Sequence, residues 1–196
     1  GLALAGGAPV VGQVSQAPLS VECAQQDWAC LMYTSGSTGE PKGVMVPHAQ
    51  IVNWLEASYR RVPFVEGEVI AQKTGIAFAV SVKELLSGLL GGVPQVLLGD
   101  EVVRDPQGLA RALNRWSVSR LYLVPSHLQA LLQAVAGHQQ QLSRLKYVTT
   151  AGEALSEEVR EQLQRQLPWV ELWNNYGCTE LNDVSYSGPR QQGSGS

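Results

Sequence analysis

The stretch Asp105–Asn174, DPQGLARALNRWSVSRLYLVPSHLQALLQAVAGHQQQLSRLKYVTTAGEALSEEVREQLQRQLPWVELWN, decides the fold. Asp105 before Pro106 reads as an N-cap followed by proline at the first helical position, opening a helix to about Trp116. Strand Arg120–Val124, helix Ser126–Ala136, strand Leu145–Thr149, helix Ser156–Leu167 and strand Val170–Asn174 follow. Strands alternating with helices of this length call for an α/β fold, a mostly parallel sheet with right-handed crossovers and helices on both faces. Ligands of open α/β sheets bind outside the carboxyl ends of the strands. The site is therefore expected around Val124-Pro125-Ser126, Thr149-Thr150-Ala151-Gly152-Glu153 and Asn174-Asn175-Tyr176-Gly177-Cys178-Thr179-Glu180, the loops richest in hydroxyls, amides, glycines and carboxylates.

Upstream, Val93–Leu98 reads as a strand. Val82, Leu85, Leu86, Leu89 and Leu90 mark a helix that Gly91-Gly92 ends. Ile51, Val52, Leu55 and Tyr59 give helical spacing over His48–Arg61. The short apolar runs Cys30–Thr34 and Val44–Val46 flank a Gly-rich segment, a hairpin pattern. Residues 1–27 carry little periodicity and read as a linker, with one short strand around Pro9–Val14. Residues 28–186 form the core, and residues 187–196 read as a flexible or engineered tail ending in GPRQQGSGS.

The chain has 196 residues, 44% hydrophobic and 16% charged, with 14 Lys+Arg against 17 Asp+Glu and a net charge of −3. That length buries a real core, and the near balance of charge leaves no footprint for nucleic acid or an anionic membrane. Three cysteines, Cys23, Cys30 and Cys178, suggest neither a disulfide framework nor a metal clip. A reducing cytoplasm is expected. The opening GLALAGGAPVVG lacks a basic start and a long apolar stretch. Leu85–Leu98 is cut by Ser87, Gly88, Gly91, Gly92 and Pro94, so it is not a membrane helix.

The strongest local signal is Thr34-Ser35-Gly36-Ser37-Thr38-Gly39-Glu40-Pro41-Lys42-Gly43. Glycines let backbone N–H groups turn toward an anion, hydroxyls add donors, and a lysine supplies a point charge for phosphate. A Walker loop needs GxxxxGK[ST] opening a helix. Here the lysine precedes Gly43 and Val44 and a strand follows, so the Walker reading fails.

YTSGSTGEPKGV resembles the phosphate-loop signature of the adenylate-forming superfamily, which includes acyl-CoA synthetases, luciferases and nonribosomal peptide synthetase adenylation domains. Three more stretches agree in order. Phe78-Ala79-Val80-Ser81-Val82-Lys83-Glu84 with Leu89-Leu90-Gly91-Gly92 is similar to FDxSxxE…LLxGG. Ala151-Gly152-Glu153-Ala154-Leu155 resembles GGExL, and Asn174–Glu180 is similar to NxYGPTE with Cys178 in place of proline. The resemblance spans residues 33–180 and implies part of the large N-terminal domain of such an enzyme. It implies ATP-dependent activation of a small carboxylic acid, an amino acid or similar, as an acyl-adenylate, with ATP and Mg²⁺. Transfer to a phosphopantetheine thiol on a carrier (thiolation) domain, or to CoA, would follow.

By the same resemblance, Thr34, Ser35, Gly36, Ser37, Thr38, Gly39 and Lys42 would hold the β- and γ-phosphates. Glu180 would ligate Mg²⁺ and Thr179 would touch the α-phosphate, which with Lys42 makes these three the catalytic candidates. Tyr176 would stack on adenine, with Asn174 and the Gly152-Glu153 backbone reading its edge. The acid pocket would be lined by Ala79, Val80, Lys83, Leu123, Thr149, Ala151, Asn175 and Asp183.

The departures matter. Amino-acid-activating members pair the Asp of FDxS with the substrate's α-ammonium, and here that position is Ala79, followed by Val80. Either the substrate has no α-amine or another acid, such as Asp183, binds it, as in the β-alanine-activating members that this segment resembles. Lys83 either anchors a second carboxylate or, the favoured reading, snorkels to solvent from a helix surface. His48 and His127 each open a helix and read as surface or capping residues, and His138 has no role. No ribose-binding Asp and no C-terminal lysine of the family follow Tyr186. The segment reads as part of a longer chain whose remaining adenylation domain, with its C-terminal subdomain, would be a partner. By itself it is expected to bind nucleotide weakly. Two rival readings are an acyl-CoA synthetase and a non-catalytic adenylation domain serving as a binding module.

Overall fold

The computed structural model describes residues 2–4, 21–35 and 40–189. In chain order its strands and helices are β1 (Leu2–Leu4), β2 (Trp28–Ser35), β3 (Pro41–Pro47), α1 (His48–Arg61), β4 (Ile70–Gln72), α2 (Ala79–Leu90), β5 (Gln95–Leu97) and α3 (Asp100–Arg104). There follow α4 (Pro106–Arg115), β6 (Arg120–Leu123), α5 (Pro125–Ala134), β7 (Tyr147–Thr150), α6 (Glu157–Gln166), β8 (Glu171–Cys178) and β9 (Asn182–Ser187), with a 3₁₀ turn at Gln139–Leu142.

Seven strands form one sheet in the order β1-β5-β4-β6-β7-β8-β9. All neighbours are parallel except β8 and β9. The hairpin β2–β3 stands apart as a two-stranded sheet. Every residue of β6 is buried. Successive side chains of a strand point to opposite faces, so the sheet is covered on both sides there. Leu121 and Leu123 join Leu109, Leu113, Leu128, Leu132, Val148 and Leu163 in the main core. Each such leucine contributes about 1.5–3 kcal/mol relative to an exposed position. Helices α4, α5 and α6 pack in succession over this core.

Arg120, on the opposite face of β6, binds the Glu68 carboxylate through two nitrogens, at 2.8 and 3.0 Å. The same guanidinium donates to the carbonyls of Val62 and Pro63 at 3.0 and 3.1 Å. It lies 4.3 Å from the Phe64 ring centroid and 4.5 Å from that of Tyr147. This fork ties the loop after α1 to the amino end of the central strand, the end away from the expected site.

Local sequence rules account for the helix ends. The Asp105 side chain accepts from the Gln107 N–H, with proline next to it, as the sequence implies. Gly92, at φ +67°, closes α2 in the left-handed region, with Val93 N–H on the Gly88 carbonyl at 2.9 Å. Gly88 itself is held small by packing: the Gln95 amide donates to the carbonyls of Glu84 and Leu85 at 2.6 and 3.0 Å. A Cβ at Gly88 would come within 2.4 Å of that amide. Gly88→Ala is expected to lower stability by about 1–3 kcal/mol through overpacking. A urea midpoint unchanged from wild type would show that Gln95 can swing away freely.

The hairpin, the helices and the parallel sheet match the sequence reading, with ends shifted by a few residues. Four elements were not anticipated: β1, β4, the short α3 and β9. The largest correction concerns Asn174–Cys178, expected as a loop. It is the second half of β8, because β9 supplies an antiparallel partner for its backbone. Lys83 is a second correction, since it is buried rather than snorkelling to solvent. The expected strand around Pro9–Val14 and the end of the tail lie outside the described residues.

Candidate active site

The carboxyl ends of β4, β6 and β7 open into a cleft of about 450 Å³. Its apolar wall is Phe78, Val80, Val103, Leu123, Val124 and Ala151, and its polar groups include Lys73, Thr74, Tyr122, Thr149 and Glu153. Gly152, at φ +85°, turns the chain after β7 along the rim of this cleft. A second cleft of about 180 Å³ adjoins it, sharing Phe78, Val80, Ala151 and Gly152, and adding Ala79, Lys83, Gly177, Cys178, Thr179 and Asp183. Both clefts therefore lie at the strand ends, with the start of α2 as their opposite wall.

Two carboxylates shape the cleft. Glu153 accepts from the Ser126 N–H and hydroxyl, each at 3.0 Å, and so caps α5 from the neighbouring loop. Glu84, fully buried, accepts from the N–H groups of Lys73 and Thr74 at 3.0 and 2.8 Å and from the Thr74 hydroxyl at 2.7 Å. Lys73 lies 3.8 Å from the same carboxylate. Burial lowers the Lys73 ammonium and Glu84 opposes that shift. Glu84 belongs to a stretch the sequence singled out, yet its task of fixing the 73–74 loop was not foreseen.

The strongest polar cluster surrounds Asp183. Its carboxylate accepts from Lys83, from the Trp54 indole, from Asn175 at 3.1 Å and from the Tyr186 hydroxyl at 2.9 Å. The Lys83 ammonium also sits 4.7 Å from the Trp54 ring centroid. Burial pulls the Lys83 ammonium down while Asp183 opposes it, and burial followed by Asp183 pushes the Tyr186 hydroxyl up. The register explains how one carboxylate meets so many donors. Asn175 pairs with Tyr186 and Tyr176 with Ser185, but Gly177 pairs with Asp183, leaving Val184 as a bulge. Trp54 and Tyr186 were missed because they approach only through the tertiary fold.

Of the acid-pocket candidates, Ala79, Val80, Lys83, Leu123, Thr149, Ala151 and Asp183 line one or both clefts. Asn175 is buried behind Asp183. Thr179 and Glu180 stand in the β8–β9 turn, where the Glu180 carbonyl accepts from Gln50 of α1 at 3.2 Å. Asn174 accepts from the Thr150 hydroxyl at 2.8 Å, and Tyr176 is exposed. Thr34 pairs with Lys42 and Ser35 with Pro41, at the end of the hairpin next to residues 36–40. Gly36, Ser37, Thr38 and Gly39 lie outside the described residues. His48 simply opens α1, its N–H on the Asp27 carbonyl at 3.0 Å. His127 is partly buried, held below its ordinary range by burial and then by Lys73.

The model of the AMP-binding enzyme family matches residues 5–194. Phosphinothricin tripeptide synthetase PhsB of Streptomyces viridochromogenes is 43% identical over 155 residues, covering 78% of this chain and 13% of that protein. Vanchrobactin synthetase VabF of Vibrio anguillarum is 39% identical over 163 residues, covering 81% of this chain and 6% of that protein. The chain thus spans a small part of the length of these relatives. Among solved structures, the nonribosomal peptide synthetase FmoA3 superposes with a TM-score of 0.81 at 23% identity, over 90% of this chain and 19% of that one, a likeness of fold. The chain belongs to the AMP-binding enzyme family, within the adenylate-forming superfamily.

Proposed function

We propose that the protein containing this chain activates a small carboxylic acid with ATP as an acyl-adenylate and passes the acyl group to a phosphopantetheine thiol. In the first step an acid oxygen bonds to the α-phosphorus and the bond to pyrophosphate breaks. Both reactants are anionic, so the site must neutralise charge and align them. The observation that supports this best is the pair of joined clefts at the strand ends, bounded by Thr179 on one side and Ala79–Lys83 on the other.

In this reading Thr34, Ser35, Gly36, Ser37, Thr38, Gly39 and Lys42 take the β- and γ-phosphates, and Thr179 meets the α-phosphate. Tyr176, exposed, offers a face to adenine, while Asn174 and the Gly152-Glu153 backbone meet its edge. Ala79, Val80, Lys83, Leu123, Thr149, Ala151, Asn175 and Asp183 shape the acid pocket. Mg²⁺ is held by one or two carboxylates together with substrate phosphates, and the exposed Glu180 beside Thr179 fits that donor set. Among the described residues no cluster of three or more His, Cys, Asp or Glu is gathered for a metal, so the nucleotide would complete the shell. When bound, Mg²⁺ would neutralise phosphate charge.

The acceptor is a carrier (thiolation) domain or CoA, and the rest of the adenylation domain, including its C-terminal subdomain, completes the enzyme. No helix among the described residues is long and apolar enough to cross a membrane, and we place the reaction in the cytoplasm. The test is acid-dependent ATP–pyrophosphate exchange by the full-length protein over a broad set of carboxylic acids. Exchange with at least one acid is expected. No exchange with any, together with no Mg·ATP binding, would leave the reading as a binding module instead.

A further inference from the structure

We propose, on the adenylation reading above, that Gln50 of α1 is a positioning residue, which holds the Thr179–Glu180 turn in the shape that receives Mg·ATP. Its side-chain amide donates to the Glu180 carbonyl at 3.2 Å, across 130 residues of sequence. The turn is the tip of a hairpin. Cys178 pairs with Asn182, so Thr179, Glu180 and Leu181 lie outside the ladder, the last two exposed. Among the described residues, Gln50 is the one side chain hydrogen-bonded to these three.

The place of that amide is fixed by its helix. Gln50, Trp54 and Arg61 stand at intervals of four and seven residues, which puts them on one face of α1. Buried Trp54 donates to Asp183, and Arg61 lies 3.9 Å from the Tyr186 ring centroid. The face that carries Gln50 is thus fastened to β9 at two further points. At its start α1 follows directly on β3, the strand of Lys42. One helix therefore joins the strand of the phosphate lysine to the turn that bears Thr179 and Glu180. A free three-residue turn would have to be ordered as nucleotide arrives, which weakens binding. A turn whose backbone is already held presents both side chains without that loss.

The experiment is calorimetric binding of Mg·ATP and of adenosine to the full-length protein, beside ATP–pyrophosphate exchange. Gln50→Met keeps length and helix propensity and removes the donor. It is expected to weaken Mg·ATP binding and raise KM for ATP by about three- to tenfold, the share of one hydrogen bond. Adenosine binding, KM for the acid and the melting temperature should stay close to wild type. Gln50→Glu has the same shape but no donor, and should lose at least as much Mg·ATP affinity. An affinity unchanged in either variant would overturn the inference and leave adenylation standing. So would an equal loss for adenosine or a clear fall in melting temperature, the marks of a merely structural role. A wild-type protein that binds no Mg·ATP would overturn both.

Discussion

Replacing Lys42 with alanine in the full-length protein is expected to lower kcat/KM for ATP by about 10²–10³, the loss typical of removing one preorganised group from a developing charge. Lys42 is exposed, stands opposite Thr34 in the β2–β3 ladder, and follows a segment rich in glycine and hydroxyls. Nothing in the core depends on it. The melting temperature should therefore stay close to wild type, since surface substitutions of this kind change stability by about 0.5 kcal/mol or less. Lys42→Arg keeps the charge but changes its geometry, and should recover only part of the rate. An alanine variant with unaltered ATP kinetics would remove Lys42 from the phosphate contacts.

The largest effect on stability is expected at the other end of the sheet. Glu68→Ala leaves the buried Arg120 guanidinium without its carboxylate, and such a loss costs about 3–5 kcal/mol. The Val65 N–H also loses its acceptor, 3.0 Å away. The carbonyls of Val62 and Pro63 and the rings of Phe64 and Tyr147 still surround the cation, but none of them carries a full negative charge. Replacing both Glu68 and Arg120 with leucine should recover part of the loss, because no charge is then stranded. Urea unfolding of the single and double variants measures both. A loss below about 1 kcal/mol for Glu68→Ala would mean that water reaches the pair.

Much of this fold could be read before any coordinates, for a physical reason. From Asp105 to Asn174 the signals are local: an N-cap with proline, helical periods, and short apolar strands that feed one sheet. The chemistry-bearing loops then fall at the strand ends by topology alone. What escaped was non-local. The sequence NDVSYS alternates only briefly, with Val184 and Tyr186 between polar residues, too short a run to mark a strand by itself; the end of β8 offers it the ladder that makes it β9. Lys83 read as a surface lysine because its partner lies 100 residues away. Trp54, 129 residues from Asp183, carried no signal beyond its place on an amphipathic helix. The motif at residues 34–43 suggests phosphate binding by composition alone, while the arrangement of the hairpin beside α1 belongs to tertiary packing.

The bulge at Val184 ties the lining of the smaller cleft to arithmetic as well as to composition. Asp183 and Tyr186 are three residues apart, an odd interval that in a regular strand sends side chains to opposite faces. The unpaired Val184 resets the parity, so the Tyr186 hydroxyl meets the Asp183 carboxylate at 2.9 Å. Drawing Val184 into a regular ladder would leave every pocket residue spelled as before, yet would put Asp183 and Tyr186 on opposite faces. Two chains of identical sequence there, one bulged and one in regular register, would present different pockets. A list of lining residues therefore fixes a cleft only where the pairing register is also the same.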